Sequence, residues 1–324
     1  MIDQNALQKI KDLYPAKYQE NVLLSNFTTM RVGGPADILL TAHSAEMLAR
    51  MVADTWTHNL PLYLLGSGSN LLISDKGLRG IVIINRAHNI KVKSTADGHT
   101  VWAESGALMV NVGKKLIMRG LSGMEWAGTI PGTVGGAVYG NAGAFGKDTC
   151  HNLISADIIH RESGREEWTC DRLDFEYRSS VLKRNDEEAV ILSALFSVDS
   201  GVSEDIKNEI DGYRKRRSKI QPPGPSVGSV FRNPPGNSAG RLIEQAGLKG
   251  YNLGGAVISE KHANFIINEG GGSAKDVFDL IMVAKKAVKE KFDIDLIPEI
   301  EVLGEWENLP PALQKKRRTT ENHQ

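Results

Sequence analysis

A chain of 324 residues, 41% of them hydrophobic, is long enough for about two domains with ordinary cores. Lysine plus arginine balances aspartate plus glutamate at 39 each, and the resulting zero net charge argues against a nucleic-acid partner as a whole-chain property. The start, MIDQNALQKIKDLYP, has neither a basic n-region nor an apolar h-region, and no apolar run approaches the ~20 residues of a membrane span, so a cytoplasmic protein without membrane insertion is expected. Cys150 and Cys170, the two cysteines, lack CxxC spacing, which supports neither a disulfide framework nor a zinc site.

In chain order, residues 4–18 read as a short amphipathic helix with Leu7, Ile10, Leu13 and Tyr14 at helical spacing. Strands are expected at 36–41, 62–65 and 80–84, with a helix at 43–56, which makes a βαβ start. Between those strands lies Gly66-Ser67-Gly68-Ser69-Asn70, a run of small residues whose hydroxyl and N–H groups suit phosphate, or equally a polar crossover turn. Its pattern is G-x-G-x-x-L, which is not the dinucleotide fingerprint, and the spacing from Gly106 to Gly113-Lys114-Lys115 is not that of a P-loop.

The stretch 123–146, GMEWAGTIPGTVGGAVYGNAGAFG, is too poor in side chains to be a core. Seven of its glycines, from Gly128 to Gly146, fall within nineteen residues, and each lacks the Cβ that would hold another backbone or a ligand at a distance. Free N–H groups here, with a helix beginning after Pro131, could bind a diphosphate; a tightly packed turn region is the other reading.

Strands follow at 153–159, 166–170 and 189–196, and between the last two Arg178 follows two aromatic residues. Arg178 suits either a structural salt bridge or a carboxylate ligand. Ser203 is a candidate cap for a helix with Ile206, Ile210 and Tyr213 on one face, ending at Arg217 and leading into another domain. A Pro/Gly loop at 221–236, a helix at 238–246 stopped by Gly247, a strand at 261–268, and a helix at 274–292 with a Ser273/Asp276 capping box come next. Val277, Leu280, Ile281, Ala284 and Val288 should form the buried face of that last helix. The final strand is expected at 298–303, and the polar residues 306–324 read as a disordered tail.

Seven segments, GSGSNLLI, GMEWAGTIPGTVGGAVYGNAGAFG, YRSSVLK, PSVGSVFRNPP, AGRLIEQAGLKG, KHANFIINEGG and PEIEVLGE, occur in this order. Together they resemble the UDP-N-acetylenolpyruvoylglucosamine reductase (MurB) family over about residues 25–305, in its shorter, type II form. The resemblance implies an α+β fold. An N-terminal helix (1–20) would precede a two-lobed FAD-binding module of the PCMH or vanillyl-alcohol-oxidase type (21–200, lobes about 21–85 and 86–200). A smaller α+β substrate-binding domain (201–305) would follow. The implied reaction is NADPH-dependent reduction of UDP-N-acetylglucosamine enolpyruvate to UDP-N-acetylmuramate through FAD, in peptidoglycan precursor synthesis.

The motif matches also imply roles. FAD would be held noncovalently by Gly66, Ser67, Gly68, Ser69, Asn70, Ile130, Pro131, Gly132, Thr133, Gly135, Gly136, Asn141 and Gly143. By Y-R-x-S, Arg178 would hold and polarise the substrate carboxylate; by G-S-x-F-x-N-P, Ser229 would donate the proton to C2. By P-E-[VI], Glu299 would assist Arg178, with a raised pKa or a bound proton because another carboxylate lies near. Lys219, Asn233 and His262 match positions that contact the sugar nucleotide, and no metal is implied. Two other classes fit parts of this pattern: an FAD-linked sugar or alcohol oxidase that uses oxygen, and a nucleotide-binding protein without turnover.

Overall fold

Asp3 accepts hydrogen bonds from the N–H groups of Asn5 and Ala6 and so caps a helix at Gln4–Leu13. The computed structural model describes residues 2–96, 98–185, 187–307, 309, 310 and 313. The helix stops short of residue 18 because Pro15 disfavours helical backbone at Tyr14. Ala6, Leu7, Ile10 and Tyr14 are buried, whereas Leu13, expected on the same face, is 51% exposed.

This helix and Ala45–Thr57, which starts at the Ser44 N-cap, cover one face of the first sheet through Ile38, Leu40, Ile81 and Ile83. The strand order is Gln19–Leu23, Pro35–Ala42, Leu78–Asn85, Leu62–Leu65. The first pair is antiparallel and the others parallel, so the expected βαβ unit exists with Leu78–Asn85 seated between its two strands. That central strand is buried on both faces, which explains its nearly continuous apolar sequence.

The second sheet is antiparallel, in the order Gly164–Thr169, Leu153–His160, Ala189–Ser200, Gly98–Glu104, Ile90–Thr95. Thr169 ends the first of these, and Cys170, expected in the strand, opens the short helix Cys170–Leu173. The hairpin at 90–104 and the helix Met109–Arg119 were not expected, and the latter occupies the segment considered only as a P-loop. The glycine-stretch helix is Val134–Tyr139: it begins at the Thr133 cap rather than directly after Pro131.

Ser203 does not cap the next helix. Val202 occupies the N-cap, the Ser203 hydroxyl donates to the Ile117 carbonyl at 2.7 Å, and the helix runs over Ser203–Ile220, past Arg217. Ile206 and Ile210 bury it against Met109–Arg119 and the turn Glu125–Thr129, so it packs with the second sheet's unit.

In the C-terminal unit the Ser273/Asp276 capping box starts Ala274–Phe292, whose five expected core residues are all buried. This helix packs with Ala239–Gln245 and a small sheet of Asn252–Leu253, Ala256–Ile258 and Ile266–Asn268. The strand expected from 261 is confined to its last three residues. Its first half is wound into turns, in which Phe265 N–H donates to the His262 carbonyl and His262 N–H to the Ser259 hydroxyl. The last strand is Glu301–Leu303, and it pairs in parallel with Leu71–Ile73 of the first unit. No helix among the described residues is long and apolar enough to cross a membrane. Most of the tail expected at 306–324 (residues 308, 311–312 and 314–324) lies outside the described residues.

Candidate active site

Two loops are brought edge to edge where the first two units meet. Gly66 closes the strand Leu62–Leu65, and a Cβ on it would fall 2.6 Å from the Thr133 hydroxyl, so glycine permits the contact between 66–70 and 130–136. Gly68 has φ +65°, and a Cβ there would meet the Phe27 carbonyl at 2.0 Å. Among the described residues, the N–H groups of Ser67, Gly68, Ser69, Gly132 and Thr133 have no hydrogen-bond partner, although much of this backbone is withdrawn from solvent. Such clustered donors form an anion-binding concavity. Gly128, by contrast, makes room for Ile210 and does not reach the cavity.

The loops open onto a cavity of about 1560 Å³ that the C-terminal unit closes on its other side. This exceeds the roughly 300–1,000 Å³ of ordinary small-ligand sites. Gly66, Ser67, Gly68, Ser69, Asn70, Ile130, Pro131, Gly132, Thr133, Gly135, Gly136 and Gly143 all line it. Asn141 does not. It is buried behind the glycine loop, donating to the Asp148 carboxylate and the Glu176 carbonyl and accepting from Cys150 N–H.

Arg178, Ser229, Glu299 and Asn233 line the same cavity, although they come from three separate segments. Arg178 adopts φ +57°, a strained conformation for a side chain of its size. Its Nη2 donates to the Gly143 carbonyl at 2.8 Å, and its Nε faces Glu299 Oε1 at 3.2 Å. Burial pushes the Glu299 carboxyl above its ordinary pKa, outweighing the opposing pull of Arg178, Lys183 and Arg232. The backbone of Glu299 is fixed on two sides: its N–H donates to the Val230 carbonyl at 2.8 Å, and its carbonyl accepts from Asn70 at 3.2 Å.

Ser229 sits half-buried between Gly228 (φ +76°) and Val230. The loop that carries it is pinned by Val230 N–H to the Asn264 carbonyl and by a two-way pairing between the Asn264 side chain and the Phe231 backbone. Thr29 ties this loop to the other, donating its hydroxyl to the Ser226 carbonyl at 2.6 Å and its N–H to the Gly68 carbonyl at 3.1 Å. Asn233 accepts from Ala239 N–H at 3.0 Å, which anchors the following helix.

Lys219 and His262 do not line the cavity. Lys219 is exposed, while the half-buried His262 accepts from Asn264 N–H and tilts against Phe265; burial lowers its pKa. Sequence reasoning missed Lys183, whose Nζ reaches Glu301 at 2.8 Å and the Glu299 carbonyl at 3.3 Å. It also missed Arg232, which donates to the Arg178 carbonyl at 3.2 Å, and Arg217, which lines the cavity. Lys183 and Arg232 both stand inside motifs already singled out, so basic residues flanking Arg178 and Ser229 were the available signal.

The family model for the FAD binding domain matches residues 36–169, and that for the UDP-N-acetylenolpyruvoylglucosamine reductase C-terminal domain matches residues 219–303. The UDP-N-acetylenolpyruvoylglucosamine reductase of Bacillus velezensis is 41% identical over 303 residues, spanning 93% of this chain and 99% of that protein. That of Bacillus subtilis is 42% identical over 303 residues, with the same shares of 93% and 99%. The crystal structure of the Thermus caldophilus enzyme of that name superposes with a TM-score of 0.74 at 34% identity, covering 88% of this chain and 98% of the other.

Proposed function

Because this chain belongs to the UDP-N-acetylenolpyruvoylglucosamine reductase family, we propose that it reduces UDP-N-acetylglucosamine enolpyruvate to UDP-N-acetylmuramate with electrons from NADPH, a cytoplasmic step in peptidoglycan precursor supply. The cofactor is FAD. The observation that carries the reading is that Arg178, Ser229 and Glu299 meet in one cavity with both glycine-rich loops. FAD supplies, when bound, a hydride for C3 of the enolpyruvyl group.

The backbone of 66–70 and 130–136 would hold the cofactor's diphosphate, since both loops line the cavity and carry unpartnered N–H groups. No histidine or cysteine is among the described residues lining the cavity, which supports noncovalent binding. Arg178 grips the substrate carboxylate and draws toward it the negative charge that develops at C2. Glu299, whose ionisation is disfavoured by burial, braces Arg178 and repels that carboxylate less than a solvated carboxylate would. Lys183 and Arg232 add positive potential around it. Ser229, held on a pinned loop, delivers the proton to C2, and Asn233 faces the sugar nucleotide from the cavity wall.

Anaerobic rapid mixing tests the proposal. NADPH should bleach the yellow holoenzyme, and UDP-N-acetylglucosamine enolpyruvate should restore the colour without oxygen. Colour that returns only with oxygen would make the protein an oxidase, and a failure to bleach would make it a binder without turnover. Acid precipitation should release all the flavin into solution; colour left in the pellet would refute noncovalent attachment.

A further inference from the structure

Cys150 and Cys170 have no place in the cavity or its chemistry, and their spacing in the sequence gives no reason to pair them. The fold nevertheless brings their Sγ atoms to 2.9 Å. Cys150 lies in the short helix Thr149–Asn152, held by its own N–H to Asn141, while Cys170 opens Cys170–Leu173 at the end of an edge strand. Both thiols are free, Cys150 exposed and Cys170 half-buried. A disulfide needs a sulfur separation of about 2.05 Å, so the two sulfurs have less than ~1 Å left to approach.

We propose that Cys150 and Cys170 form a thiol modification site for low-molecular-weight disulfides, in which Cys150 captures the reagent and Cys170 resolves it into an internal bridge. In the first step the Cys150 thiolate attacks a disulfide RS–SR, forming Cys150–S–SR and releasing RS⁻. In the second, the Cys170 thiolate attacks the Cys150 sulfur, forming Cys150–S–S–Cys170 and releasing the second RS⁻. The two protein thiols lose two electrons and two protons in all, and the reagent is reduced to two thiols.

Exposure favours one order of attack, because the reagent reaches the exposed Cys150 more readily than the half-buried Cys170. Electrostatics favours the same order. The Cys170 thiol is pushed up to about 12, by burial first and then by its hydrogen bond to Cys150 and the charge there, with Asp171 and Asp148 adding to the effect. Capping Cys150 removes both of its contributions, so Cys170 becomes a better nucleophile once the adduct beside it exists.

The bridge would also tie together two segments that lead to the site. Cys150 follows the hairpin Gly143–Ala144/Lys147–Asp148, whose Gly143 carbonyl accepts from Arg178, and Cys170 begins the segment that leads to Arg178.

The test is incubation of the FAD-loaded full chain with glutathione disulfide, followed by intact-mass measurement and thiol alkylation. The wild type should lose the mass of two hydrogens, become closed to alkylation at both positions, and recover with dithiothreitol. Cys170→Ser should stop at a stable glutathione adduct on Cys150, and Cys150→Ser should react at least tenfold more slowly than the wild type, with unchanged circular dichroism in both variants. Persistent glutathione adducts on the wild type, disulfide-linked dimers, or a Cys150→Ser protein modified as fast as the wild type would overturn the proposal.

Discussion

Replacing Arg178 by lysine isolates the value of the guanidinium. Arginine offers five N–H donors in a rigid plane, and two of its groups are engaged here, Nη2 on the Gly143 carbonyl at 2.8 Å and Nε beside Glu299 at 3.2 Å. Three donors remain for a two-toothed grip on a carboxylate. A lysine has three donors on one nitrogen, so satisfying Gly143 and Glu299 would leave it one. The substrate then loses one charge-assisted hydrogen bond, worth about 1.5–3 kcal/mol. This corresponds to a fall in kcat/KM of roughly 10- to 150-fold. Flavin content and the melting midpoint should stay close to the wild type, because a lysine can keep the bond to the Gly143 carbonyl and Arg178 makes no hydrogen bond to loop 66–70. In anaerobic rapid mixing, bleaching by NADPH should keep its rate while recovery with the enolpyruvyl substrate slows. Slow bleaching with normal recovery would refute the assignment, and so would a variant of full activity.

Ser229→Ala should leave folding, flavin content and bleaching by NADPH unchanged, while recovery with the enolpyruvyl substrate falls ~10²–10⁴-fold; Ser229→Cys should regain part of that loss. A fully active Ser229→Ala protein would place the acid elsewhere. Burial raises the Glu299 pKa, and a role for its neutral form predicts that kcat/KM declines as the pH rises through that elevated value and that Glu299→Gln removes this limb of the profile. The same shift gives the sign for stability: the contribution of neutral Glu299 is complete below the ordinary carboxylate pKa and is lost as the pH rises through the folded-state value. A Glu299→Gln protein with the wild-type profile would contradict both. Gly68→Ala forces a left-handed alanine, about 1–2 kcal/mol, and drives its Cβ against the Phe27 carbonyl. Its flavin-to-protein absorbance ratio should drop together with the melting midpoint, and a variant unchanged in both would mean that the loop adapts.

Local signals carried well where local physics decides. The capping box at Ser273, the buried stripe of Ala274–Phe292 and the strand Leu62–Leu65 stand where periodicity and caps put them. The hairpin 90–104 escaped because Ile90–Thr95 is an outer strand with a largely exposed, polar face and little contrast with a loop. Helix Ser203–Ile220 was recognised, but not its neighbours, because two buried isoleucines over eighteen residues do not say which unit they face. Motifs named the site more fully than they explained it. Arg178 and Ser229 came from short patterns, yet the burial of Glu299 and the support of Lys183 and Arg232 arise from contacts distant in sequence, while the left-handed backbone of Arg178 belongs to a tight turn closed by Glu176 and Ser179.

The parallel pairing of Glu301–Leu303 with Leu71–Ile73 bears on the order in which the enzyme can assemble. Asn70 waits for a partner 229 residues further along the chain, and Ser74 for one 231 residues away. Contacts of such separation form late, because closing a long loop costs entropy before any contact rewards it. During synthesis the first unit can gather its helices over its sheet while loop 66–70 still lacks the strand that braces it. A nascent chain released before residue 301 should therefore hold FAD poorly even though every residue of the matched FAD binding domain, 36–169, is present. Chain completion and cofactor retention become a single event, and a fragment ending at residue 300 should elute without flavin.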